Sequence, residues 1–135
     1  MSDAPALPAS LGHVLVVDGE PLVVNYLKAA LQLHGFSVST AAGGQEALRL
    51  LGADPSAIGL ALVDLKLPDM SCHDLLTELR RLNPEMRSCV MGAQVDPDDE
   101  RLRASGAVNV VRKPLGLADL TYALWGMQRP TSGNP

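Results

Sequence analysis

Short apolar runs alternate with longer stretches of helical period five times along this chain. Val14-Leu15-Val16-Val17 is apolar at both parities and mostly β-branched, the pattern of a strand buried on both faces. Pro21 follows at a position suited to the first turn of a helix. Val23, Leu27, Ala30, Leu31 and His34 then recur at helical spacing, and Gly35 is the stop. Phe36 to Thr40 alternates as a second strand. Gln45 to Leu51 puts Ala47, Leu48 and Leu51 on one helical face before Gly52. Leu60-Ala61-Leu62-Val63 is a third, wholly apolar strand ended by Asp64.

The second half repeats the rhythm. Ser71 caps a helix whose stripe is Leu75, Leu76, Leu79 and Leu82, and Asn83-Pro84 ends it. Cys89-Val90-Met91 is a short strand. Asp96 to Ser105 is charged and weakly amphipathic, read as a fourth helix. Val108 to Val111 is a fifth strand, and Leu117, Leu120, Leu124 and Met127 face inward on a last helix. Strand–helix alternation with short links predicts right-handed crossovers, hence an α/β fold with one doubly wound parallel sheet. Residues 1–12 and 129–135, rich in small residues, Pro, Ser and Gly, read as tails around a domain spanning 13–128.

At 135 residues the chain is long enough for one domain with its own core. Hydrophobic residues at 47% and charged residues at 19% are those of a globular domain. A net charge of -4 argues against a nucleic-acid binder working by phosphate neutralisation, and 3% aromatics argue against a base-stacking platform. Cys72 and Cys89 have no metal-binding spacing and read as free thiols of a reducing compartment. Met1 to Gly12 carries no basic residue, and no apolar run is long enough to span a bilayer, so a cytoplasmic setting is expected.

In open parallel sheets, functional groups gather at the carboxyl ends of strands. Those ends here hold Asp18 after the first strand, Asp64 after the third and Lys113-Pro114 after the fifth. One such Asp says little, because Asp is common in turns. Two carboxylates and an ammonium converging on one edge make a place for a divalent cation and a phosphoryl group.

With those residues in view, the chain from about His13 to Gly126 resembles the receiver domains of two-component response regulators. The matching pieces are Val14 to Pro21, Gly35-Phe36-Ser37-Val38, Gly44 to Leu48, Asp64 to Met70, Gly106-Ala107 and Lys113-Pro114-Leu115. The resemblance implies strand order 2-1-3-4-5, a flavodoxin-like arrangement, and phosphate transfer from a histidine kinase or phosphotransfer protein. Asp64 matches the phosphoacceptor, to be converted to 4-aspartylphosphate. Lys113 matches the lysine that pairs with it at rest and with the phosphoryl group afterwards. Asp18 and Asp64, with the main-chain carbonyl of Lys66, match Mg²⁺ ligands, and Pro114 matches the proline after the lysine. No enzyme activity is implied beyond the domain's own phosphotransfer and dephosphorylation.

The departures from that family pattern are specific. Gly19 stands where a second acidic residue normally ligates Mg²⁺, so the metal site is expected to be weak or lost; Glu20 is the candidate to reach in instead, although in the family that position normally points elsewhere. Gly92 replaces a Ser or Thr that hydrogen-bonds the phosphoryl group. Val110 replaces the aromatic switch residue, and Cys72 replaces a common glycine. The Lys66 ammonium, if not turned to solvent, is a candidate for neutralising the carboxylates. Tyr122 and Trp125, opposite the leucine stripe of the last helix, form a candidate face for a homodimer or target protein.

Three other classes compete with this reading. A flavodoxin-like electron carrier is disfavoured by the acidic Asp18-Gly19-Glu20-Pro21 loop, which is unsuited to an FMN phosphate. An aspartate-nucleophile hydrolase wants a second Asp where Lys66 stands. A phosphorylation-independent pseudo-receiver acting as a protein-interaction module stays open as the alternative to phosphotransfer signalling.

Overall fold

The computed structural model describes residues 12–96, 98–113 and 116. The expected last helix with Tyr122 and Trp125, Pro114, and nearly all of both expected tails lie outside the described residues. Within them, the elements are β1 (His13–Val17), α1 (Pro21–Leu33), β2 (Ser37–Ala41), α2 (Gly44–Ala53), β3 (Leu60–Asp64), α3 (Cys72–Leu82), β4 (Arg87–Gly92), α4 (Glu100–Ala104) and β5 (Ala107–Arg112). They form one parallel sheet in the order β2-β1-β3-β4-β5.

The wholly apolar runs are the central strands. Val14 to Val17 and Leu60 to Val63 are buried, and their side chains alternate between two cores because strand side chains alternate between faces. Val14, Val16, Leu60 and Leu62 pack with Leu27 and Leu31 of α1. Leu15, Val17, Ala61 and Val63 pack on the other face with Leu51 of α2 and Leu75, Leu76 and Leu79 of α3. Each fully buried leucine contributes about 2 kcal/mol; truncating Leu79, which is 0% exposed, to alanine costs roughly 3 kcal/mol because a cavity adds to the lost transfer energy.

Local signals set the boundaries. Ser71 caps α3, its hydroxyl accepting from the Asp74 N–H at 3.0 Å. α1 closes at His34, and Gly35 turns the chain at φ 97°, a left-handed conformation that favours glycine. The expected Asp96–Ser105 helix shrinks to the five residues of α4, capped by the Asp99 carboxylate. Asp96 instead folds its own carboxylate back onto the Asp98 N–H at 2.9 Å, a turn that competes with helix. Cys72 and Cys89 are buried free thiols, and no helix among the described residues is long and apolar enough to cross a membrane.

Candidate functional site

Strand register assembles the site. Val17 pairs with Val63, so Asp18, one step past β1, stands level with Asp64 at the end of β3. Asp64 pairs with Met91 and Gly92 with Arg112, so the three strand ends terminate along one rim. Main-chain hydrogen bonds carry the pairing past the strands: Asp18 N–H to Ala41 C=O at 3.1 Å, Leu65 N–H to Met91 C=O at 2.7 Å and Lys113 N–H to Gly92 C=O at 2.9 Å. Residues 95 positions apart thus meet: the Lys113 ammonium donates to Asp18 Oδ2 at 2.7 Å.

That ammonium lies between several carboxylates. It is 3.3 Å from Asp64 Oδ2 and 3.7 Å from Glu20 Oε1. Asp18 is 0% exposed and Asp64 8%, whereas the Glu20 side chain is 70% exposed. The other oxygen of Asp18 accepts from the Glu20 N–H at 2.9 Å, and Asp64 Oδ1 accepts from the Lys66 N–H at 3.2 Å. Lys113 was expected to pair with Asp64 and does so, but its shorter contact is to Asp18.

Burial pushes the Asp64 carboxyl above its ordinary 3.8; the Lys66 N–H opposes this, the Asp18 charge reinforces it, and Lys113 opposes it again. Burial acts to lower the Lys113 pKa, but the hydrogen bond to Asp18 and the charges of Asp64 and Asp18 outweigh it, and the net direction is upward from 10.5. The Asp64 direction is set first by burial, whereas the Lys113 direction reflects the carboxylates around the ammonium.

Glu20, the candidate to reach in for Gly19, turns toward the rim: Asp18, Glu20 and Asp64 each offer a carboxylate oxygen, all within 4.8 Å of one another. The set is entirely hard oxygen, the chemistry Mg²⁺ prefers, and these residues fit that ion. The nearby Cys72 thiol is pushed up to about 12, by burial first and the Asp64 charge second, so it remains a protonated neighbour rather than a thiolate ligand. Lys66 is exposed and its ammonium enters no ion pair among the described residues; Lys113 does the neutralising. A cavity of about 540 Å³ opens over the rim, lined by Gly19, Glu20, Asp64, Lys66, Gly92 and Lys113 among others.

The departures have physical correlates. A Cβ on Gly19 would lie 3.5 Å from the Ala42 carbonyl and 3.6 Å from Pro68, so the position has room for a side chain. Gly92 does not: a Cβ there would lie 2.6 Å from Val95 Cγ1 and 3.1 Å from Leu65 Cβ. Val95, 3% exposed, fills the space a larger residue at 92 would need. Val110 is buried in the core on the α2–α3 side of the sheet.

Sequence reasoning also missed Asp69. From the loop after β3 it accepts hydrogen bonds from the Gly44 and Gln45 N–H groups at 2.8 and 2.9 Å, capping α2 from outside. Those two bonds, Gln45 first, hold its carboxyl below 3.8. The signal was Gly43-Gly44 before a helix: a Cβ on Gly43 would meet Asp69 Oδ1 at 2.7 Å, so glycine permits the approach.

Known proteins share the sequence pattern and the fold. The chain is 37% identical over 119 residues to the transcriptional regulatory protein PrrA of Mycobacterium leprae, covering 87% of this chain and 50% of that protein. It is 37% identical over 113 residues to the transcriptional regulatory protein KdpE of Mycobacterium tuberculosis, covering 82% and 48%. The chain therefore spans about half the length of these relatives. Among solved structures, the CheY-like receiver domain protein of Methanospirillum hungatei superposes with a TM-score of 0.81 at 28% identity, covering 88% of this chain and 94% of that one. The receiver domain protein of Clostridium thermocellum gives 0.80 at 27%, covering 87% and 94%. The family model described as the response regulator receiver domain matches residues 14–124, and the chain belongs to that family.

Proposed function

We propose that the domain accepts a phosphoryl group on Asp64 from a histidine kinase or phosphotransfer protein and passes the signal on through protein contacts. The observation that carries this reading is the meeting of Asp64, Lys113 and Asp18 at one rim, with Lys113 2.7 Å from Asp18 and 3.3 Å from Asp64. In the step itself an Asp64 carboxylate oxygen forms the new O–P bond. The N–P bond of the phosphohistidine breaks, and its electron pair stays on the imidazole. Burial of Asp64 strips water from the nucleophile, and the Lys66 N–H fixes its other oxygen.

Lys113 is placed to turn from a carboxylate partner into a partner for the incoming phosphoryl oxygens, a point charge on a flexible stem. Asp18, Asp64 and the Lys66 carbonyl are the groups we assign to Mg²⁺, which when bound screens the charge between nucleophile and phosphoryl group. The reading carries with it a cytoplasmic setting.

The deciding experiment incubates the protein with Mg²⁺ and acetyl phosphate and follows intact mass. A gain of one phosphoryl group that Asp64→Ala abolishes is expected. No gain under these conditions would leave the domain a phosphorylation-independent interaction module.

A further inference from the structure

Gly19 removes a carboxylate from the loop after β1, and Glu20 turns one in from the next position. We propose that Glu20 supplies the Mg²⁺-binding carboxylate that Gly19 lacks; this rests on the proposed function only in placing a cation at the rim. Glu20 is the N-cap residue of α1, with extended backbone at φ -100° and ψ 110°, yet its side chain makes no capping hydrogen bond. Glutamate is too long to cap its own helix well, and its carboxylate goes to the rim instead, 3.7 Å from the Lys113 ammonium. The main chain holds the residue there: its N–H donates to Asp18 Oδ1 at 2.9 Å, and Pro21 fixes the entry to α1.

The rim already gathers a cation, since the Lys113 ammonium contacts all three carboxylates. One ammonium against three carboxylates leaves two negative charges uncompensated, which a divalent ion balances. The three oxygens lie within 4.8 Å of one another; oxygens about 2.1 Å from a shared Mg²⁺ stand about 3.0 to 4.2 Å apart, so a small closure, led by exposed Glu20, completes the set. The longer stem of glutamate reaches from position 20 what an aspartate would reach from 19.

The test is calorimetric titration of the whole chain with Mg²⁺ alone, for the parent, Glu20→Gln, Gly19→Asp and the double variant. Glu20→Gln is expected to weaken Mg²⁺ at least about tenfold, and adding Gly19→Asp, for which there is room, is expected to recover most of the loss. Glu20→Gln binding as tightly as the parent, or a parent with no saturable uptake, overturns the assignment. Circular dichroism of each variant guards against misfolding. Phosphoryl uptake is read separately by mass. An Asp64 that is still phosphorylated while Glu20→Gln leaves Mg²⁺ uptake unchanged sinks this inference and leaves the proposed function standing; the reverse pattern does the opposite.

Discussion

Lys113 grips Asp18 at 2.7 Å and Asp64 at 3.3 Å, and the shorter contact belongs to the residue with no exposed surface at all. A carboxylate that deep cannot be left without a counter-charge, because desolvation costs several kcal/mol per ion. Asp64 sits nearer the cavity and is held more loosely. The arrangement anchors the ammonium on one aspartate and leaves the other free to react.

Lys113→Met should therefore destabilise the fold by roughly 3 kcal/mol, since it orphans a buried charge. Adding Asp18→Asn should recover more of that loss than adding Asp64→Asn. Urea denaturation of the four proteins measures this. Equal recovery by the two asparagines would mean that Lys113 is not seated on Asp18.

Asp64 and Asp69 should respond to acid in opposite senses. The Asp64 carboxyl is raised, so the folded state holds its proton more tightly than the unfolded chain. That contribution to stability is present below 3.8 and lost as pH climbs through the raised value. Asp64→Asn, in EDTA, should then be more stable than the parent at neutral pH, with the gain fading as pH falls through the raised value and gone below 3.8. Asp69 is lowered, so its contribution is present above 3.8 and lost on acidification. NMR titration of the two carboxyls, with denaturation at neutral and acid pH, checks both signs.

The Asp69 cap has its own local readout. Asp69→Ala removes both acceptors from the α2 N-terminus, and hydrogen exchange at the Gly44 and Gln45 amides should accelerate while the β1 and β3 amides stay protected. Unchanged exchange at those two amides would show that water replaces the cap at no cost.

The architecture was legible because the central strands β1 and β3 are apolar at both parities and the helices are not. Val14 to Val17 and Leu60 to Val63 have one stable position, between two helical layers. Asp18, Asp64 and Lys113 were legible because each directly follows or ends a strand. What escaped depends on side-chain direction and on contacts between loops. The Glu20 carboxylate stands 3.7 Å from the Lys113 ammonium, a side-chain direction that no spacing rule encodes. Asp69 meets Gly44 across 25 positions, and only the paired glycines hinted at a partner. The overlong fourth helix failed because its charged run contains Asp96 and Asp98–Asp99, better at turns and caps than in a helix interior.

Both cysteines should be silent toward thiol reagents in the native state. Each pKa is pushed up to about 12, by burial first in both cases, so neither an exposed surface nor a thiolate is available. Labelling with a disulfide reagent should track denaturant-induced unfolding. Rapid native labelling at Cys72 would mean that the start of α3 opens locally.

Gly92 separates a missing hydroxyl from a filled space. Its backbone is not in the left-handed region, so conformation does not demand glycine; Val95 does, with Cγ1 2.6 Å from where a Cβ would stand. Valine is stiff at χ1 and cannot swing away cheaply. Gly92→Ser should therefore destabilise by about 1 to 3 kcal/mol through overpacking. Val95→Ala alone should also destabilise, by opening a cavity beside Leu65. The two together should cost less than their sum, because the serine occupies what the valine vacates, and a double-mutant cycle in urea reads the coupling directly. Strict additivity would mean that Val95 does not fill the position 92 space. A favourable coupling would mean that the hydroxyl can return only when this loop is repacked, so that Gly92 and Val95 form one structural unit.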